Sequence, residues 1–307
     1  MRILITGGAG FIGQYTVEKC MERGHEPFIF DHYDRKEEYP CPVILGDVRD
    51  DVAVTEAMAH ADAWIHLAAV LGTQETVFNP RPAAQSNLMG GLNMLEAAVQ
   101  YDLPGTYIGV GNHWMNNTYS ITKTMIERFI DMYNKNRGTR VNIVRAMNAY
   151  GPRQRPVAPW GCSKVRKITP SFACRALSGM DVEVYGDGEQ VSDMCWVGDV
   201  AHALVVATEK AAQGIVFPEA VEVGPEDSAT VQEVAQMIVN MSGTDANLVN
   251  LPMRPGEIPG STVAADVNTL RHVDMTPADL MPLDEGMRLT VEHFRELVEA
   301  HDTEGAD

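Results

Sequence analysis

The chain has 307 residues, a formal net charge of −18, and 45% hydrophobic and 21% charged residues. That length suits one large domain or two modest ones around a sizeable core. The acidic balance excludes nucleic acid and anionic membrane as partners, because either needs a basic surface, but it allows a small anionic ligand in a local cationic pocket. No apolar run of about eighteen residues occurs and strand pattern begins at once, so neither a membrane span nor a signal peptide is expected, and the predicted location is cytoplasmic. Cys20, Cys41, Cys162, Cys174 and Cys195 are odd in number and lack a CxxC pair. They read as free thiols, with no metal site.

The first thirteen residues read MRILITGGAGFIG. Ile3, Leu4 and Ile5 suit a strand buried on both faces. Gly7, Gly10 and Gly13 follow at three-residue spacing, and apolar helical period then runs from Phe11 and Ile12 to Met21. Strand, glycine turn and helix start make a dinucleotide-binding arrangement: Gly7 turns the chain, Gly10 admits a pyrophosphate, and Gly13 seats the helix against the strand. Free N–H groups at the helix start would face the phosphates. A second strand, Phe28 to Phe30, ends in Asp31, placed to accept the ribose hydroxyls and to repel a 2′-phosphate; this favours NAD over NADP. Arg35 lies nearby but does not follow the strand directly.

Val43 to Leu45 is a third strand, and Asp47 after it could hold an adenine amino group beside Val48. Asp51 is a candidate cap for a helix over Val52 to Met58. Ala63 to Ala69 reads as a fourth strand running into the small residues Ala68 and Ala69 after Leu67, which leaves room for a cofactor. His66 reads as a buried, hydrogen-bonded histidine. A helix is predicted from Ala83 to Tyr101, where Gly90 and Gly91 suggest close approach of another backbone. Tyr107 to Val110 is a fifth strand, Tyr119 to Asn136 a second long helix, and Val141 to Arg145 a sixth strand. Such alternation predicts an α/β fold, a Rossmann-type doubly wound parallel sheet. Beyond Gly151-Pro152 the texture changes. Residues 155–167 carry prolines and the cations Arg155, Lys164, Arg166 and Lys167, a candidate substrate-side loop. Helices over Thr169 to Ser178 and Val197 to Thr208, with Asp193 and Asp199 ahead of the latter, flank a strand at Val182 to Tyr185. From Gly214 the elements shorten into a smaller α+β lobe. The expected division is a dinucleotide-binding domain over 1–155 and a substrate lobe over 156–307, with 193–210 returning to the first.

Several stretches resemble the extended short-chain dehydrogenase/reductases, in particular the nucleotide-sugar epimerases and dehydratases of the UDP-glucose 4-epimerase kind. They are TGGAGFIG at 6–13, Asp31, GDVRD at 46–50, HLAA at 66–69, YSITK at 119–123, NAYGPRQ at 148–154, VYGDGEQ at 184–190, WVGDVAHAL at 196–204 and MRPGE at 253–257. They stand in family order over nearly the whole chain. The resemblance implies that Tyr119 and Lys123 form the redox pair. Residues four apart share a helix face, and a nearby ammonium and the positive nicotinamide would favour the phenolate of a group that otherwise titrates near ~10. It also implies that Asn87 lies with the cofactor and that Leu71, Gly72, Thr73, Asn148, Ser192 and Arg254 face a nucleotide-diphosphate sugar; the clustered cations Arg153, Arg155, Lys164, Arg166 and Lys167 could supply further charge for its diphosphate or form a solvated loop. The helices over 83–101 and 119–136 resemble the pair through which such enzymes form homodimers.

The chain departs from that pattern in two places. Gly111 stands where a Ser or Thr usually bonds the reacting hydroxyl, leaving Asn112, Thr118 or water as the substitute, or no substitute at all. The acidic pair of the dehydratases is replaced by Asn112 and His113; an amide cannot deliver a proton as an acid does, while His113 could act as acid or base or be a plain loop residue. Ser192 replaces a diphosphate-binding arginine. Three readings follow: a 4-epimerase working by transient C4 oxidation, a dehydratase or decarboxylase using His113, and an NAD-binding sensor without catalysis.

Overall fold

The computed structural model describes residues 1–33, 39–157 and 165–304. Six strands and a seventh added from the C-terminal half form one parallel sheet. They are β1 (Arg2–Thr6), β2 (Glu26–Asp31), β3 (Val43–Leu45), β4 (Ala63–His66), β5 (Gly105–Val110), β6 (Val141–Ala146) and Val221–Val223. Across the sheet the order is Val221–Val223, β6, β5, β4, β1, β2, β3. The order reverses between β1 and β4, where the connections leave to opposite sides and open a crevice at the strands' C-terminal ends.

Burial on both faces explains the unbroken apolar runs. Ile3, Ile5, Ile29 and Ile65 pack toward one side with Val17 and Cys20 of the Phe11–Glu22 helix and Val200 to Ala207 of the Val197–Ala212 helix. Leu4, Phe28, Phe30 and Trp64 point to the other, against the Asp51–Met58, Gly90–Tyr101 and Thr118–Arg137 helices. A separate cluster of Phe172, Val182, Val184, Ile238 and Phe294 joins the Ile168–Leu177, Val231–Ser242 and Leu283–Glu304 helices to the short strand pair Val182–Tyr185 and Leu248–Leu251.

Several expectations are corrected. Asp50, not Asp51, caps the Asp51–Met58 helix: its carboxylate accepts from Val52 N and Ala53 N. The expected Ala83–Tyr101 helix begins as Pro80–Ala83, passes through a π-helical turn at Ala84–Met89, and becomes α-helical only at Gly90. Gly91 makes room for a side chain, since a Cβ there would meet Ile126, and Gly90 for both, since a Cβ there would lie 2.7 Å from Val48 Cγ2 and 3.6 Å from Val48 O. β4 ends at His66, three residues early. Asp199 sits in the first turn of its helix rather than ahead of it. The segments that return to the sheet extend past 210, because Val221 and Val223 are fully buried beside β6.

Candidate active site

A cleft of about 1210 Å³ opens at the strand ends of the switch point. Gly7, Gly10, Phe11, Ile12, Gly13, Asp31, Asp47, Val48, Leu67, Ala68 and Ala69 line one part of it. The glycines are forced by geometry. Gly7 has φ +70°, and a Cβ on it would lie 2.7 Å from Ala68 N; a Cβ on Gly13 would collide with Gly7 O. No side chain caps the Phe11–Glu22 helix at Gly10, so its first N–H groups are free for an anion. Asp31 is anchored to this turn: Oδ2 accepts from Ala9 N at 3.1 Å, and Oδ1 accepts from His32 N and Tyr33 N. A carboxylate has about four acceptor sites, so Oδ2 retains one for a hydroxyl donor. These residues fit an unphosphorylated dinucleotide ribose. The Asp47 carboxylate is bound by Arg49 Nε at 2.9 Å, which lowers its pKa and takes up much of its acceptor capacity.

Asn87 does not line the cleft, contrary to expectation. The π-helical turn aims it at the loop after β4, where Oδ1 accepts from Val70 N (2.7 Å) while Nδ2 donates to Val70 O and Thr122 Oγ1. It shapes the wall from behind. His66 is 1% exposed and pairs through Nδ1 with Thr6 Oγ1 at 2.6 Å, as read from the sequence.

Tyr119 and Lys123 both line the cleft from one face of the Thr118–Arg137 helix, whose start is fixed by the Asn117 side chain accepting from Ser120 N. Lys123 is 2% exposed, and its Nζ lies 4.0 Å from the centroid of the Tyr107 ring. Burial pulls its pKa down to about 7, against a smaller upward pull from Glu127. Enclosure pushes Tyr119 well above its ordinary value. The expected lowering of Tyr119 by Lys123 is therefore not seen among protein groups alone, because the amine faces the Tyr107 ring and is itself driven toward neutrality.

Around this pair the departures acquire a physical form. A Cβ on Gly111 would lie 2.5 Å from Met147 Sδ and 2.9 Å from Met147 Cα, so Met147 occupies the space a Ser or Thr would need. Thr118 is turned away, its hydroxyl donating to Thr76 O at 2.8 Å. His113 is not among the lining residues either; its Nδ1 is buried without a hydrogen-bond partner among the described residues. Asn112 does line the cleft, and its Oδ1 accepts from Ser120 Oγ at 3.2 Å.

On the substrate side Leu71, Gly72, Thr73, Asn148, Arg155, Arg166, Ser192 and Arg254 line the cleft. Asn148 Nδ2 donates to Ser192 Oγ at 3.3 Å. Arg153 does not take part: at φ +66° it turns back to pair with Glu18 and stack over Tyr15. Lys164 lies outside the described residues, as do Arg35 and Cys162. The cations do not form a bare positive patch. Arg166 pairs with Glu183 at 3.0 Å, Arg175 with Glu183 at 3.2 Å, and Arg254 with Glu257 while lying over the Tyr185 ring. Lys167 has its pKa lowered by burial and by Arg254, against Glu75 and Glu257. Sequence reasoning missed Glu75, Ser86, Met115, Met147, Arg175, Tyr185 and Val263. Tyr185 lies within VYGDGEQ and was within reach, but nothing local marks Met147 or Val263.

A glycine cradle, an acidic residue at the end of β2 and a Tyr–Lys pair on one cleft define a dinucleotide-dependent enzyme of the Rossmann class. Residues 3–224 match the model of the NAD dependent epimerase/dehydratase family, and the chain belongs to that family. NAD is its cofactor. The chain is 29% identical to a UDP-N-acetyl-alpha-D-glucosaminuronate decarboxylase of Bacillus cytotoxicus, covering 96% of this chain and 98% of that one. It is 28% identical to a putative UDP-glucose 4-epimerase of Methanocaldococcus jannaschii, over 83% and 87% of the two chains. Among solved structures it is similar to the UDP-glucose 4-epimerase of Thermotoga maritima with UDP-glucose (26% identity, 97% and 100% coverage, TM-score 0.86). The NAD complex of the Thermus thermophilus UDP-glucose 4-epimerase is also similar (29%, 96% and 99%, TM-score 0.82). The relatives are enzymes acting on nucleotide sugars, which leaves no support for a non-catalytic sensor. Among the described residues no helix is long and apolar enough to cross a membrane, and no group of three or more His, Cys, Asp and Glu could hold a metal ion.

Proposed function

We propose that this enzyme is a nucleotide-sugar 4-epimerase, which oxidises the sugar transiently at C4 and returns it with inverted configuration. The observation that carries this reading is the placement of Tyr119 and Lys123 on one helix face at the wall of the same cleft as the glycine cradle and Asp31. Gly7, Gly10, Gly13 and the free N–H groups before Gln14 would hold the pyrophosphate, Asp31 a ribose, and Lys123 the ribose next to the reacting ring. When bound, oxidised NAD supplies the acceptor for the C4 hydrogen and a positive charge beside Tyr119. Tyr119 takes the proton of the C4 hydroxyl as a general base and gives it back to the same oxygen after the keto sugar has turned over. Epimerisation needs no further acid, which agrees with an amide at Asn112 and with His113 lying off the cleft. Arg155, which lies over the Tyr33 ring, and Arg166 and Arg254, beside Glu183 and Glu257, would hold the substrate diphosphate, guanidinium forks suiting phosphate.

Decarboxylation is the second reading, favoured by the uronate decarboxylase relative that matches along 96% of this chain. It starts from the same C4 oxidation, after which a C6 carboxylate lies β to the ketone and can leave as carbon dioxide. Incubation with UDP-, dTDP- and GDP-sugars and the corresponding uronic acids, with products followed by mass and NMR, separates the two. An unchanged mass with inverted C4 supports the epimerase; loss of carbon dioxide or of water overturns it. A homodimer through the Gly90–Tyr101 and Thr118–Arg137 helices is part of the same proposal. Its support is an exposed apolar stripe of Ile121, Met125 and Met132, with Met89 on the neighbouring turn.

A further inference from the structure

Met147 fills the space beside Gly111, which leaves open which group steadies the reacting oxygen opposite Tyr119. Thr118 is committed to Thr76 O, and His113 does not reach the cleft wall. Asn112 is different. Its carbonyl end is held: Ser120 Oγ, fully buried and one residue beyond Tyr119, donates to Asn112 Oδ1 at 3.2 Å. Its backbone is also fixed, since Asn112 O accepts from Met115 N at 3.0 Å in the turn after β5. With Oδ1 engaged, the amide is oriented so that Nδ2, which meets no acceptor among the described residues, is its free end on the cleft wall.

We propose that Asn112 is a catalytic residue of this enzyme: its Nδ2–H donates to the substrate oxygen that Tyr119 deprotonates, and Ser120 is the positioning residue that holds the amide in that orientation. The inference rests on the redox reading of the preceding section. In the forward step the C–H and O–H bonds of the secondary alcohol break and a C=O bond forms. The proton goes to Tyr119, and the hydrogen with its electron pair goes to the oxidised cofactor. Negative charge builds on the oxygen during that step, so a fixed N–H donor is worth more there than in the ground state. An amide, unlike a hydroxyl, cannot pass a proton on. Tyr119 is then the sole proton carrier at this oxygen, and Asn112 acts by hydrogen bonding alone. Met147 and Gly111 belong to the same arrangement: a hydroxyl side chain at position 111 and a methionine at position 147 exclude each other sterically.

Asn112→Asp tests this most sharply, because it keeps an oxygen for Ser120 to donate to and replaces the N–H donor with an acceptor of the same size. On the nucleotide sugar that the wild type converts, kcat is expected to fall by about 10²-fold or more with little change in KM, the loss typical of one oxyanion donor. Ser120→Ala should lower kcat by a smaller factor, again with KM nearly constant, as a loosened amide predicts. NAD affinity measured by calorimetry should be unchanged in both variants. An unaltered kcat in Asn112→Asp overturns the proposal, as does a loss that travels with weakened NAD binding. A substrate-independent arm uses the side-chain amide resonance of Asn112, assigned by its absence in Asn112→Ala, in the NAD-bound enzyme titrated with UDP-glucose, UDP-glucuronic acid and a simple secondary alcohol. A shift on binding supports the contact; a resonance indifferent to every bound alcohol overturns it. A wild type that turns over no nucleotide sugar refutes the proposed function instead, and the resonance then decides for Asn112 alone.

Discussion

Lys123 keeps an amine in surroundings that favour its neutral form. Its pKa is pulled from 10.5 to about 7 by burial. Between those values the unfolded chain binds more protons than the folded one, so this residue makes stability rise with pH from about 7 to 10.5, and its penalty is complete below about 7. Lys123→Met is therefore expected to stabilise the protein at pH 6, by roughly 1–2 kcal/mol, and to lose that advantage by pH 10. Denaturant unfolding at the two pH values checks the sign. The same variant should lose most of its activity, a trade of stability for function at one side chain. Tyr119→Phe removes the only proton carrier proposed at the reacting oxygen. A fall in kcat of about 10³-fold is expected with NAD binding intact, and a variant that kept its rate would remove Tyr119 from the chemistry.

At the scale of elements, the glycine turn was legible because its requirements are local. The contacts that exclude a side chain at Gly13 come from Gly7 and Gly8, and Asp31 closes on the turn through Ala9 N. The four-residue spacing of Tyr119 and Lys123 is likewise a property of one helix. What could not be read depends on partners far along the chain. Arg153 turns to Glu18, Asn87 reaches Val70, Met147 fills the space beside Gly111, and Arg166 meets Glu183. Composition shows a basic stretch, but only packing shows that carboxylates already sit beside it. The local case can be tested on the turn itself. Gly13→Ala places a Cβ against Gly7 O and Gly8, so backbone must shift. A destabilisation of about 1–3 kcal/mol is expected, with NAD affinity reduced by at least tenfold because the shifted N–H groups are those proposed to hold the pyrophosphate. Titration calorimetry with NAD, alongside thermal unfolding, separates the two effects.

The molecule as a whole carries −18, yet presents Ile121, Met125 and Met132 on one exposed helical stripe. Ile121 to Met125 is one helical turn and Met132 lies two turns further, so the three share a face that the core does not cover. Covering this stripe with its own copy would remove apolar surface from water but bring two acidic chains together. These effects respond oppositely to salt. Repulsion is screened over a Debye length of about 10 Å at 0.1 M, whereas burial is little affected at that concentration. The association is thus expected to tighten as ionic strength rises from about 0.01 to 0.2 M, the reverse of an interface held by ion pairs. Met125→Glu, in the middle of the stripe, should yield a monomer in light scattering. None of the three residues lines the cleft, so the monomer should still bind NAD with the affinity of the wild type. A wild type that is monomeric at micromolar concentration in 0.2 M salt, or a Met125→Glu variant that remains dimeric, would place the subunit contact elsewhere or nowhere. A variant that became monomeric and lost NAD affinity together would instead show that these helices hold the Tyr119–Lys123 face in position only when paired.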